Sequence, residues 1–223
     1  MVLLAFEFQL LEFESYTFQV SQYADPVEVV EDSGIHLMVV STFEVFYLTD
    51  EANLREQYSQ EDIGVIELYA VTNAQRYFSK NQELARKLRL DTNEFDVMTR
   101  AVTTYLTDPS SSVRDFMDTT IITGNSMGLA LVLSDLLSEE GVQNAFEIGV
   151  TGALGDNGAV SGIGMVNEKV LIAAESGFPY MLVPTENFEE AMATKEREDL
   201  AIEIHAVESV EEAVAYIESI NQK

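Results

Sequence analysis

Between Thr119 and Leu137 the chain reads as a short apolar strand, Thr119 to Thr123, a glycine-bracketed turn, Gly124-Asn125-Ser126-Met127-Gly128, and an apolar helix, Leu129 to Leu137. This strand–turn–helix unit constrains the fold most, because a helix so apolar belongs inside a domain and needs other elements around it. The segments that follow can supply them. Phe146 to Thr151 reads as a strand, Gly152 to Gly164 as a glycine-rich hairpin, Val166 to Ser176 as a helix and Tyr180 to Val183 as a strand. A short strand, Ala201 to His205, and a terminal helix, Val210 to Ile220, complete the chain. The expected fold class is α+β, a mixed sheet flanked by helices.

The first half has a different texture. Phe6-Glu7-Phe8-Gln9-Leu10 alternates as a strand does, and Asp25-Pro26 marks a turn ahead of an acidic, valine-rich strand candidate over 23–30. Ile35 to Leu48 reads as one long strand or two, with a polar break near Ser41-Thr42. Over 50–107, Leu54, Tyr58, Ala70, Ala74, Tyr77, Leu84, Leu88 and Val97 recur at helical spacing, which predicts two or three amphipathic helices packed through those residues. Residues 107–113, Thr-Asp-Pro-Ser-Ser-Ser-Val, read as a linker. The sequence thus divides into a strand and helical region, 1–107, and a second domain, 108–223.

Charge narrows the partners. Asp and Glu number 39 against 12 Lys and Arg, for a formal net charge of -27. A field of that sign repels phosphate backbones and anionic membrane surfaces, so no nucleic-acid partner is expected. The absence of cysteine rules out disulfides, thiolate catalysis and Cys-based zinc sites. Two histidines, His36 and His205, are too few for most His-based metal sites, and no Asp-x-Asp-x-Asp-Gly loop is present. Met1 to Phe6 is apolar, but Glu7, Glu12 and Glu14 interrupt it before the roughly 20 residues that a spanning helix needs. No Lys or Arg precedes it as in a secretory signal. A soluble, cytoplasmic chain with no integral membrane span is the expectation.

Ser126 is the residue with the clearest chemical potential. A serine on a sharp strand-to-helix turn is pushed out of the backbone, and unpaired N–H groups at the helix start can hold a developing oxyanion. A glycine-bracketed N-cap serine would look the same. A nucleophile needs a base. His205, in Ala201-Ile202-Glu203-Ile204-His205, and His36, in Gly34-Ile35-His36-Leu37-Met38, both read as strand residues with ordinary structural roles. Lys169 is the single basic residue between Arg114 and Lys195, and it heads the apolar run Val170-Leu171-Ile172-Ala173-Ala174. A lysine on such a helix is either desolvated, with its pKa lowered far enough to take a proton from a hydroxyl, or snorkels at the helix end.

Taken together, Gly124-Asn125-Ser126-Met127-Gly128-Leu129, Val150-Thr151-Gly152-Ala153-Leu154, Gly158-Ala159-Val160, Ile163-Gly164, Glu168-Lys169, Ala173-Ala174-Glu175-Ser176-Gly177 and Leu182-Val183-Pro184 resemble the proteolytic domain of Lon-type proteases. The family pattern is G-P-S-A-G, then T-G with a G-x-V-x-P-I-G-G hairpin, an E-K or Q-K pair, A-A-x-x-A-G and a closing V-P. The 43 residues from Ser126 to Lys169 match the family's serine–lysine dyad without a gap, as does Thr151, 18 residues before the lysine. The resemblance implies a ribosomal protein S5 domain 2-like fold over 108–223 and an endopeptidase in which Ser126 is the nucleophile and Lys169 the general base. It implies that Thr151 orients the lysine and that the main chain around Gly124, Asn125, Met127 and Gly164 forms the oxyanion and substrate loop. It further implies no metal or organic cofactor, an unfolded or extended peptide as substrate, and homo-oligomerisation.

The departures from the pattern are local. Asn125 stands for proline, Met127 for alanine and Met165 for the last glycine of the hairpin, and two methionines beside the site are expected to crowd or narrow a substrate channel. Two other readings stay open: an inactive Lon-like fold serving as a binding or assembly module, and an α/β-hydrolase-type esterase using Ser126 with His205. No G-x-x-x-x-G-K-[ST] loop is present, so ATP-independent action is expected. Val27–Leu106 is similar to the region that precedes the PDZ domain in membrane-anchored, Lon-like proteases, most visibly at Glu28 to Leu37. That subfamily works outside the membrane; here neither a PDZ module nor an anchor is expected.

Overall fold

A computed structural model describes residues 17–46, 52–53, 56, 65–70, 94–119, 124–139 and 144–222. Its strands are β1 (Thr17–Tyr23), β2 (Val27–Glu28), β3 (Ile35–Leu37), β4 (Val40–Phe46), β5 (Val65–Ala70), β6 (Ile148–Val150), β7 (Ala153–Leu154), β8 (Val160–Ser161), β9 (Tyr180–Pro184) and β10 (Glu203–Val207). Its helices are α1 (Glu94–Leu106), α2 (Ser111–Thr119), α3 (Gly128–Glu139), α4 (Val166–Glu175), α5 (Phe188–Arg197) and α6 (Val210–Asn221). They divide between a unit of residues 1–24 and 40–92 and a unit of residues 25–39 and 93–223.

In the first unit β1 lies between β4 and β5, antiparallel to both, with Val20 opposite Phe43 on one side and Leu68 on the other. Two sequence expectations need correction here. Ala70 ends a strand and not a helical stripe, because Val65-Ile66-Glu67-Leu68-Tyr69-Ala70 alternates and is rich in β-forming residues. Ser41 and Thr42 do not break the Ile35–Leu48 segment, since they pair with Gln22 and Ser21 inside β4. The interruption falls at Met38-Val39, and β3 and β4 belong to different sheets. The strand expected over Phe6 to Leu10, and the helical positions from Ala74 to Leu88, lie outside the described residues.

The second unit is built on a five-stranded mixed sheet in the order β10-β9-β6-β3-β2. All neighbours in it are parallel except β2, which runs antiparallel to β3. Parallel neighbours need crossovers, and α4 carries the chain from the β6 side to β9 while α5 carries it from β9 to β10. The period-two alternation of β6 sorts its faces. Ile148 and Val150, fully buried, join Leu129, Leu131, Val132 and Leu133 of α3 in the main core. Gly149 faces the other way, where a Cβ would come within 3.2 Å of the Ala173 Cβ of α4. Its lack of a side chain lets the helix that carries Lys169 lie close to the sheet.

The apolar run after Ser126 is the buried helix its composition predicts: from Met127 to Leu133 every residue is buried. Its first turn approaches β7 so tightly that a Cβ at Gly128 would sit 2.7 Å from that of Leu154. Helix α1 buries Met98 and Val102, one turn apart, and leaves Val97 43% exposed, so the packing stripe is displaced by one position from the expected one. The segment 107–113 is not a linker throughout. Helix α2 starts at Ser111 because the buried Asp135 carboxylate of α3 accepts the Ser110 N–H at 2.8 Å, while Ser110 Oγ accepts the Val113 N–H at 3.5 Å. Thr119 ends that helix and is not a strand residue; 120–123 lie outside the described residues.

Helix α5 has no counterpart in the sequence expectations. Its signal is present nonetheless: Glu189 and Glu190 occupy the first turn and Lys195 and Arg197 the last, the arrangement that a helix dipole favours. Helix α6 begins as a capping pattern prescribes, with Ser209 Oγ accepting the Glu212 N–H at 3.2 Å. Among the described residues no helix is long and apolar enough to cross a membrane.

Candidate active site

Ser126 is half-buried in the turn 124–127 that enters α3. Gly124 opens the turn at a φ of +105, a conformation that strains any residue with a Cβ, although a Cβ there would meet no atom within 4 Å. The Asn125 carbonyl accepts the Gly128 N–H at 3.3 Å, and the Leu129 N–H bonds to the Gly152 carbonyl at 3.2 Å. Two of the N–H groups at this helix start are therefore engaged. Met127 needs correction: its side chain is 2% exposed and belongs to the main core, so it does not crowd a channel.

The Ser126 carbonyl is the hub of the site. It accepts the Gly152 N–H at 2.8 Å and the Thr151 hydroxyl at 3.3 Å. Thr151 follows directly on β6, is fully buried, and donates its own N–H to the Leu182 carbonyl of β9 at 3.1 Å. Across from it stands Lys169 in the first turn of α4, 5% exposed, with Nζ donating to Thr151 Oγ1 at 3.3 Å. The threonine hydroxyl has one proton and directs it to Ser126, so toward the lysine it can only accept.

Burial determines the acidity of that amine. Loss of hydration lowers the Lys169 pKa from 10.5 to about 8, against the neighbouring Glu168 carboxylate, which raises it. Dryness outweighs the adjacent negative charge, and a useful fraction of the amine is neutral near physiological pH. Glu168 is itself buried, at 4% exposure.

The hairpin of β7 and β8 leads into α4 through Gly162, Ile163, Gly164 and Met165. Gly164 is exposed, with open space where a side chain would project. Met165 takes a φ of +60 and a ψ of 41, the left-handed conformation, at the position where the Lon pattern has glycine. The departure from the pattern is thus a matter of backbone strain as well as side-chain bulk. Two residues that sequence reasoning did not single out hold this segment. Glu186 accepts the Gly162 N–H at 2.8 Å, and the Asn187 amide bonds to both main-chain groups of Ile163. Nothing in Thr185-Glu186-Asn187 marks such a role, because it depends on a turn 24 residues away in the chain.

The histidines go elsewhere. His205 stacks on Tyr216 at 3.8 Å between ring centroids, on the edge strand β10. Two strand spacings, about 9–10 Å, separate that strand from β6, where Thr151 and the Ser126 turn meet. His36 bonds to Glu147 and stacks on Phe178. Neither serves as base in this arrangement, which removes the support for an esterase built on Ser126 and His205. No group of three or more potential metal ligands occurs among the described residues.

Comparison with curated proteins gives no match. Residues 119–218 match the family described as the Lon protease (S16) C-terminal proteolytic domain, a span that holds Ser126, Thr151 and Lys169. The match supports a Lon-type proteolytic domain over residues 119–218.

Proposed function

We propose that the chain is an ATP-independent, Lon-like serine endopeptidase in which Ser126 and Lys169 form the catalytic dyad. One observation carries the reading: a nearly dry lysine, with its pKa lowered to about 8, donates to a threonine that in turn donates to the serine's own carbonyl. In its neutral form the amine donates one N–H to Thr151 and keeps its lone pair for the Ser126 hydroxyl proton. The Ser126 oxygen attacks a peptide carbonyl as the proton passes to Nζ, and the resulting ammonium returns it to the leaving amine. Water then cleaves the acyl-enzyme with the same amine as base. With Gly128 and Leu129 engaged, the N–H groups of Ser126 and Met127, which bond to no backbone carbonyl among the described residues, are the ones we assign to the oxyanion.

Unfolded or extended peptides as substrate, and self-association, are carried over from the family resemblance. The decisive experiment uses a fluorophosphonate probe on the purified chain. Ser126 should be labelled, and both Ser126→Ala and Lys169→Ala should abolish labelling. A well-folded protein that takes no label between pH 6 and roughly 10, the span from a displaced to an ordinary lysine, would instead be a binding or assembly module.

A further inference from the structure

A buried asparagine amide that satisfies both main-chain groups of one distant residue fixes that residue much as a neighbouring β-strand would. Asn187, 8% exposed, does this to Ile163: its Oδ1 accepts the Ile163 N–H at 2.8 Å and its Nδ2 donates to the Ile163 carbonyl at 3.1 Å. Beside it the Glu186 carboxylate accepts the Gly162 N–H, at a point where a Cβ on Gly162 would collide with that carboxylate. Two residues after Ile163, Met165 turns through its left-handed conformation, and its carbonyl accepts the Lys169 N–H at 3.2 Å as the first bond of α4. The path from the amide to the lysine is therefore short and continuous.

We propose that Asn187 is a positioning residue for Lys169: by clamping Ile163 it fixes the segment that starts α4 and so keeps the lysine nitrogen dry and against Thr151. The claim rests on the Ser126–Lys169 reading for its catalytic meaning, and its structural part stands on these bonds alone. Helix α4 has other supports. Val166, Val170, Ile172 and Ala173 are buried, and Thr194 of α5 donates to Asn167 at 2.5 Å, so loss of the clamp should loosen the lysine without unfolding the helix. Of the charged groups around the amine, Glu168 acts on it directly. Glu189, Glu190, Lys195, Glu196 and Arg197 of the adjoining α5 face outward or are partly exposed, so they leave it to Thr151 and burial.

The test is a ¹³C NMR titration of the lysine ε-carbons in the full chain, with the Lys169 signal assigned by its loss in Lys169→Met. In the wild type that signal should titrate near 8, and in Asn187→Ala it should move toward 10.5 as water reaches the amine. The fluorophosphonate labelling rate at neutral pH should fall about tenfold for each unit of that rise. Asn187→Leu nearly keeps the volume and adds no charge while removing both bonds to Ile163, so its titration should rise as in the alanine variant; it also carries the test should the alanine variant fail to fold. An unchanged Lys169 titration in a folded variant overturns the clamp. A wild-type lysine that titrates near 8 in a chain that takes no label overturns the protease reading and leaves the clamp standing.

Discussion

Lys169 Nζ stands 3.3 Å from Thr151 Oγ1, and that oxygen is joined over another 3.3 Å to the main-chain carbonyl of Ser126. One hydroxyl thus connects a buried amine on α4 to the turn that begins α3. Replacing it tests the connection. Thr151→Val removes both hydrogen bonds at nearly constant volume and should lower the rate of Ser126 labelling by roughly 10–100-fold, on the scale of one or two lost bonds to a charged or polar group. Thr151→Ser keeps the oxygen and should recover most of that rate. Equal labelling by the valine variant would show that the threonine does not orient the lysine.

The depressed lysine pKa sets a pH dependence for both activity and stability. Labelling should rise with pH through about 8 and level off above it, because only the neutral amine accepts the serine proton. For stability, the folded chain binds this proton less tightly than the unfolded chain, whose lysine titrates at 10.5. Between about 8 and 10.5 the unfolded state holds more protons, so the Lys169 contribution to stability grows with pH over that window, and below it the full penalty of the buried charge remains. Lys169→Met should therefore stabilise the protein at pH 7, by up to about 3 kcal/mol at the usual conversion, while abolishing labelling. Denaturant unfolding at pH 7 and at pH 10 checks the sign, since the gain should shrink at the higher value.

Met165 holds a left-handed backbone that costs a residue with a Cβ about 1 kcal/mol. Met165→Gly should raise stability by about 0.5 kcal/mol once the greater freedom of glycine in the unfolded chain is counted. A midpoint measured by urea denaturation that falls, rather than rises, would show that the methionine side chain contributes more than its backbone conformation costs.

Met127 is a core residue, so its truncation should act on stability and not on substrate choice. Met127→Ala is expected to cost about 2–4 kcal/mol through lost burial and a residual cavity. Cleavage positions in a peptide library should be unchanged in the folded fraction. A broadened cleavage pattern at unchanged stability would restore the reading in which this side chain narrows a channel.

Much of the second unit is legible in the chain because its signals are local. The apolar run from Leu129, the glycine-rich hairpin and the strand at Tyr180–Pro184 each depend on period, length and turn residues within a few positions. Errors arise where a distant partner decides. Ser41 and Thr42 look like a break until β1 supplies their pairing, and residues 111–113 look like linker until Asp135, 25 residues from Ser110, caps a helix there. Val97 and Met98 are both apolar, and only the packing of α1 selects Met98 for the core.

Residue types and their spacing by themselves determine that a serine on a glycine-bracketed turn, a threonine and a lone lysine occur in the order of the Lon pattern, and that no cysteine or histidine cluster competes with them. Tertiary structure alone decides that the lysine is dry and that its hydrogen-bond partner is the threonine. It also decides that Met127 faces the core and that an asparagine from the following turn holds the segment leading to α4. The physical reason is that composition and periodicity act along the chain, whereas the hydration of an amine and the pairing of a buried amide depend on which surfaces the fold brings against them.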